Sequence, residues 1–209
     1  MESNGGAVSL STGTGSSDIT GAVNLSASNA VTINAAGSGA VTISAIGALG
    51  AFTLNATGIT TKTINVENLN NYSSGGITLN YGSGIANFDA SAVITTGGGF
   101  TLNGNSTVSA EVHIQTLSAS GAVSLNLGQA SGTVSAHSID TDGSLTISGT
   151  NATAFVNLDQ VSASGISISL GATTASGDAF TMDSADSAAG FTLNATNYRE
   201  IINSTKISA

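Results

Sequence analysis

Few residues of this chain have the types and spacing for chemistry. Asp140-Thr141-Asp142-Gly143 sets two carboxylates at alternate positions ahead of a glycine, which is how a calcium loop begins, since oxygen ligands on a sharp turn suit a hard cation. The remaining ligands of an EF-hand loop are missing. Asp178, Asp183 and Asp186 form a second acidic cluster. Calcium is the one cofactor these carboxylates suggest, and a solvated turn is the competing reading for both. His113 and His137, the only histidines, and the nearby Glu111 are the residue types of a two-histidine, one-carboxylate metal site. Two separate surface histidines is the plainer reading, because no pattern of supporting hydrogen-bond partners is legible behind them.

Catalysis has little support. Solenoid enzymes that cleave polysaccharides bring several carboxylates or bases to one side. Here the carboxylates are scattered, Lys62, Arg199 and Lys206 lie far apart, and no Gly-x-Ser-x-Gly elbow has convincing partners. The chain is not expected to be an enzyme.

Whatever positions these residues is built from a restricted alphabet. Aromatic residues are 4% and charged residues 7% of the 209, yet hydrophobic residues reach 40%, so a core must be aliphatic. With 27 Gly, no Pro and abundant Ser, Thr and Asn, the composition favours many short strands joined by tight turns. Three basic against twelve acidic residues give a net charge of −9, which repels phosphate backbones and excludes nucleic acid as an expected partner. Cysteine is absent, so neither disulfides nor thiolate metal sites enter. No apolar run is long enough to span a membrane, and Met1 to Ala7 show no cleavable leader pattern.

The chain repeats. A tetrapeptide of the form apolar, Thr/Ser, Leu/Ile, Asn/Ser begins at residues 8, 31, 52, 77, 100, 123, 145, 166 and 191, spaced by 21 to 25 residues, and a small residue precedes it every time. A second apolar station follows at Val41, Ile64, Phe88, Val112, Val134, Val156 and Ile201, with Val23 and Phe180 arriving later. A third is expected at Leu49, Leu69, Val93 or Ile94, Leu117, Ile139, Val161 and Ile207, and is missing from the eighth unit. These stations predict an all-β, parallel β-solenoid (β-helix) over 1–209 as one domain, with about nine coils of roughly 23 residues and three short strands per coil.

Alternation along the first strand turns its first and third residues inward. Stacking then builds an outward Thr/Ser column and an outward Asn/Ser column, and Thr32, Asn34, Thr53, Asn55, Thr78, Asn80, Thr101, Asn103, Ser124 and Asn126 form the expected assembly or ligand face. Neutral side chains stacked in register can also simply bond one another, which is the structural account of the same columns. Sequons at Asn24, Asn55, Asn71, Asn105, Asn151, Asn194 and Asn203 are about as many as this composition produces.

The segment 87–100, Asn-Phe-Asp-Ala-Ser-Ala-Val-Ile-Thr-Thr-Gly-Gly-Gly-Phe, together with the Gly-Ala-Val-Ser-Leu and Phe-Thr-Leu-Asn units, resembles the β-solenoid repeat regions of bacterial surface-layer proteins and large adhesins, in particular the RTX-associated kind. The resemblance covers nearly the whole chain, through motifs of low specificity. It implies export without a cleavable N-terminal signal, assembly into a lattice or filament, and calcium binding. The chain departs from it in having no Gly-Gly-x-Gly-x-Asp array.

Neither end carries a recognisable cap, so the expectation is a segment of a longer solenoid or ends that meet other copies, with 197–209 as a junction. The functional expectation is a secreted or cell-surface, non-enzymatic structural protein whose partner is itself, in a surface layer, filament or adhesin stalk. The alternative from another class is a module that binds cell-surface glycan or ice through the Thr/Asn face.

Overall fold

The computed structural model describes residues 2–3, 6–12, 24–27, 29–35, 41–48, 50–56, 62–71, 75–81, 85–104, 109–128, 131–149, 153–171, 179–196, 199–200 and 206–208. Among them the chain is an all-β parallel β-solenoid with coils of about 23 residues, and every strand pairing is parallel.

The nine tetrapeptides form one uninterrupted ladder. It runs through β2 (Val8–Thr12), β4 (Val31–Ala35), β6 (Phe52–Ala56), β8 (Ile77–Tyr81), β10 (Phe100–Gly104) and β12 (Val123–Asn126). It continues through the last parts of β13 (Ser131–Gly149) and β14 (Thr153–Gly171) into β16 (Phe191–Thr196). Leu54 pairs with Leu79, Leu79 with Leu102 and Leu102 with Leu125, and all four are buried. Each rung opens at the small residue before the tetrapeptide: Phe52 N donates to the Gly76 carbonyl at 3.0 Å, and Ile77 N to that of Gly99 at 2.8 Å.

Two further ladders carry the other sides, through β3 (Asn24–Ala27), β5 (Val41–Ala48), β7 (Lys62–Asn71), β9 (Ile85–Thr96), β11 (Ser109–Ala119), the first parts of β13 and β14, and β15 (Ala179–Ser187). The short strands β1 (Glu2–Ser3), β17 (Arg199–Glu200) and β18 (Lys206–Ser208) pair at either end of these ladders. The expected three strands per coil are therefore three ladders, but second and third strands run on as one extended segment, and in β13 and β14 that segment also includes the next first strand. About four successive turns, through 85–104, 109–128, 131–149 and 153–171, are described almost continuously, so the count of nine rests on the first ladder rather than on nine fully traced coils.

Register corrects several stations. The second column is Val41, Ile64, Phe88, Val112, Val134, Val156 and Phe180. Phe180, although late in sequence, is in line as expected, with the extra length of its coil falling before it, and the column continues to Glu200, in register with Phe180, rather than to Ile201. The third column is Leu25, Ile46, Leu69, Ile94, Leu117, Ile139, Val161, Ala185 and Ile207. Ile46 therefore takes the place expected of Leu49, Ile94 rather than Val93 occupies the column, and the eighth unit is filled by Ala185. Val23, Leu49 and Ile201 lie outside the described residues. Of 197–209, Arg199–Glu200 and Lys206–Ser208 pair with β15 and so continue the second and third ladders.

The turn from third to first strand sets a steric limit, because each turn lies directly on the one before. A Cβ on Gly75 would stand 2.4 Å from the Ala51 nitrogen, and one on Gly143 would stand 2.5 Å from that of Ala122. We predict that Gly143→Ala costs at least ~1–3 kcal/mol, the usual range for forced overpacking. Gly47→Ala, where a Cβ meets nothing within 4 Å, should be neutral or slightly stabilising by restricting the unfolded chain. Urea denaturation of both variants checks the pair.

Candidate functional site

The face expected to assemble or bind is the outer surface of the first ladder. In β4, β6 and β10 the pattern is strict: first, third and fifth residues are buried, and the Thr and Asn between them are half-buried and outward. Thr32, Thr53, Thr78, Thr101 and Ser124 stand in one column, and Asn34, Asn55, Asn80, Asn103 and Asn126 in the next.

The asparagines bond one another along the axis. Asn55 Nδ2 donates to Asn34 Oδ1 at 2.8 Å, Asn80 Nδ2 to Asn55 Oδ1 at 2.7 Å, and Asn103 Nδ2 to Asn80 Oδ1 at 2.9 Å. Asn34 Nδ2 reaches Ser11 Oγ more weakly, at 3.5 Å. Asn126 leaves the series, since its Oδ1 accepts from the backbone N of Gly128 at 3.1 Å. An amide holds a donor and an acceptor, so identical residues stacked about 4.8 Å apart can satisfy each other. The Asn55 sequon places its acceptor nitrogen in this series.

The acidic candidates are not gathered in the same way. Asp140 and Asp142 are exposed, but Thr141 between them points inward and is buried. Its Oγ1 donates to the Gly121 carbonyl at 2.6 Å and accepts from Gly143 N at 3.1 Å. The motif read as the start of a calcium loop is a hydroxyl-braced turn. Thr96 and Ser187 occupy the same column as Thr141 and do the same work: Gly98 N donates to Thr96 Oγ1 at 3.1 Å, and Ser187 Oγ donates to the Gly190 carbonyl at 2.7 Å. Their common sign is a hydroxyl ahead of a glycine-containing turn, which the sequence reading did not use.

Asp186 is exposed and in register with Ser162, which is in register with Asp140 on its other side. The two carboxylates therefore stand two coils apart, on a shallow groove of about 420 Å³ with Gln160 and Ser184. At ~4.8 Å per coil their backbones stand near 10 Å apart. Asp183 lies at the preceding corner, and Asp178 is outside the described residues.

The histidines occupy different columns. His113 is in register with Asp89 and Ser135, whereas His137 sits at the corner and its Nδ1 is 2.8 Å from Asp159 Oδ2. They line one groove with Gln115 and Asn157. The His137 and Asp159 side chains are 55% and 42% exposed, so this contact contributes little to stability. Among the described residues, no three His, Cys, Asp or Glu side chains come together as metal ligands.

Comparison of the chain with protein-family models, curated proteins and solved structures gives no match. The class established is that of the fold, a parallel β-solenoid.

Two substitutions separate the turn brace from a cation loop. Thr141→Val removes two hydrogen bonds and leaves the part-buried Gly121 carbonyl short of its partner, for a loss of about 1–3 kcal/mol. Asp142→Asn should leave the melting temperature unchanged with or without calcium. Asn80→Ala interrupts the amide series and is expected to cost about 1–2 kcal/mol. Thermal and chemical denaturation of the three variants, with and without a chelator, measures all of these.

Proposed function

We propose that this chain is a non-enzymatic structural module of a secreted or cell-surface protein, and that rods of this kind self-assemble into a surface layer, filament or adhesin stalk. The observation that carries the reading is the first ladder, nine tetrapeptides in uninterrupted parallel register over a largely aliphatic core. Such a ladder resists extension because each coil is held to the next by backbone hydrogen bonds along the axis, and its stability grows with every neighbour added. The surface-layer and adhesin resemblance of the repeat units points the same way, and it supports the extracellular location.

The residues available for chemistry support a mechanical role over a catalytic one. The asparagine amides on the first face bond one another within the fold, and the carboxylates are spread over the other sides. Glycan or ice binding by the Thr and Asn columns is the reading to which a failed assembly test would give way.

Negative-stain electron microscopy of the purified chain at high concentration tests the proposal. Filaments or sheets are expected. A monodisperse monomer, with a positive glycan array or measurable thermal hysteresis, would replace self-assembly by ligand binding.

A further inference from the structure

We infer that the first face is the lateral contact between two copies of this chain; the inference rests on the self-assembly reading and names the surface that performs it. Charge singles out this face. None of the chain's fifteen Lys, Arg, Asp and Glu residues falls within the nine first-ladder segments 8–12, 31–35, 52–56, 77–81, 100–104, 123–126, 145–148, 166–171 and 191–196. On the other sides, Asp140, Asp183 and Asp186 are exposed, and Asp159 is partly so. Two copies of net charge −9 repel each other wherever these carboxylates face. The first face is the side on which they can approach without opposing like charges.

Size and polarity agree with a second copy as the occupant. Nine strands about 4.8 Å apart and five residues long present roughly 600 Å² on each rod, so two rods would bury about 1,200 Å², at the lower edge of stable interfaces. Burying polar groups is costly unless they are bonded. Along Asn34, Asn55, Asn80 and Asn103 each rung already joins an amide N–H to a carbonyl within the fold, so covering the face does not strand them. The Thr column adds methyl groups for contact and hydroxyls that can bond across. Because both rods offer the same face, the contact is two-fold and self-complementary.

Sedimentation velocity on the whole chain and three variants tests this. Thr78→Lys puts a charge at the centre of the face. Thr146→Lys does so at an exposed position on the same column, away from the asparagine series, and serves if Thr78→Lys fails to fold by circular dichroism. Gln160→Lys adds the same charge on another side, where Gln160 is exposed. The parent chain should associate, more strongly as salt screens the carboxylates. Each folded threonine variant should associate at least tenfold more weakly, and Gln160→Lys no more weakly than the parent. If the parent associates and the folded threonine variants do so equally well, the first face is not the contact while self-assembly stands. If Gln160→Lys alone dissociates the chain, the contact lies on the other side. A parent that stays monomeric at all salt concentrations overturns the self-assembly reading and this inference with it.

Discussion

Parallel stacking at one inter-strand spacing constrains everything else in this molecule, because each side chain has as its nearest neighbours the residues at the same position in the coils before and after. A residue type is acceptable only if it tolerates its own kind, or the alternative in that column, about 4.8 Å away. Aliphatic residues meet this condition by packing, as in the Leu54, Leu79, Leu102 and Leu125 column. Asparagine meets it by carrying donor and acceptor together. Carboxylates meet it less well: the third side sets Ser162 between Asp140 and Asp186, whereas Asp159 and Asp183 share a corner position in adjacent coils, between flanking residues that pair.

The same constraint limits the interior. Phe52 and Phe100 are fully buried in the first column, on either side of Ile77. Phe88, in the coil between them, belongs to the second column. Register thus sets the smaller Ile77 between the two buried rings of the first column. A narrow aliphatic core has room for one such ring only if its own layer supplies smaller residues elsewhere, and interiors pack too densely to tolerate an error of even a methylene without cost.

The first ladder was fully legible because the alternation of two and the recurrence near 23 residues coincide there without a corner in between. The third side was only partly legible, since its residues are reached across a corner. There the inward alternation is interrupted: Val112 and Ile114 point in, Gln115 out, and Leu117 in again. Counting from the first strand therefore could not choose between Val93 and Ile94, and it assigned Leu49 where Ile46 lies in register. Ala185 escaped notice because a small residue in an otherwise branched column carries little hydrophobic signal. The Asp140-Thr141-Asp142-Gly143 turn was legible only in part, for a different reason. Asp140 and Asp142 drew attention by charge, whereas the position that matters in the turn is the neutral Thr141, whose role depends on the carbonyl of a glycine one coil away.

Charge placement also bears on how far an assembly of such rods could extend. A two-fold contact through an uncharged face closes after two copies, because each rod has then used the surface it offers. The carboxylates left on the outer sides of the pair keep other pairs apart, so growth in those directions requires screening or a bridging counter-charge. On the proposed face-to-face contact, lateral association of such rods would therefore stop at the pair until salt screens the outer carboxylates.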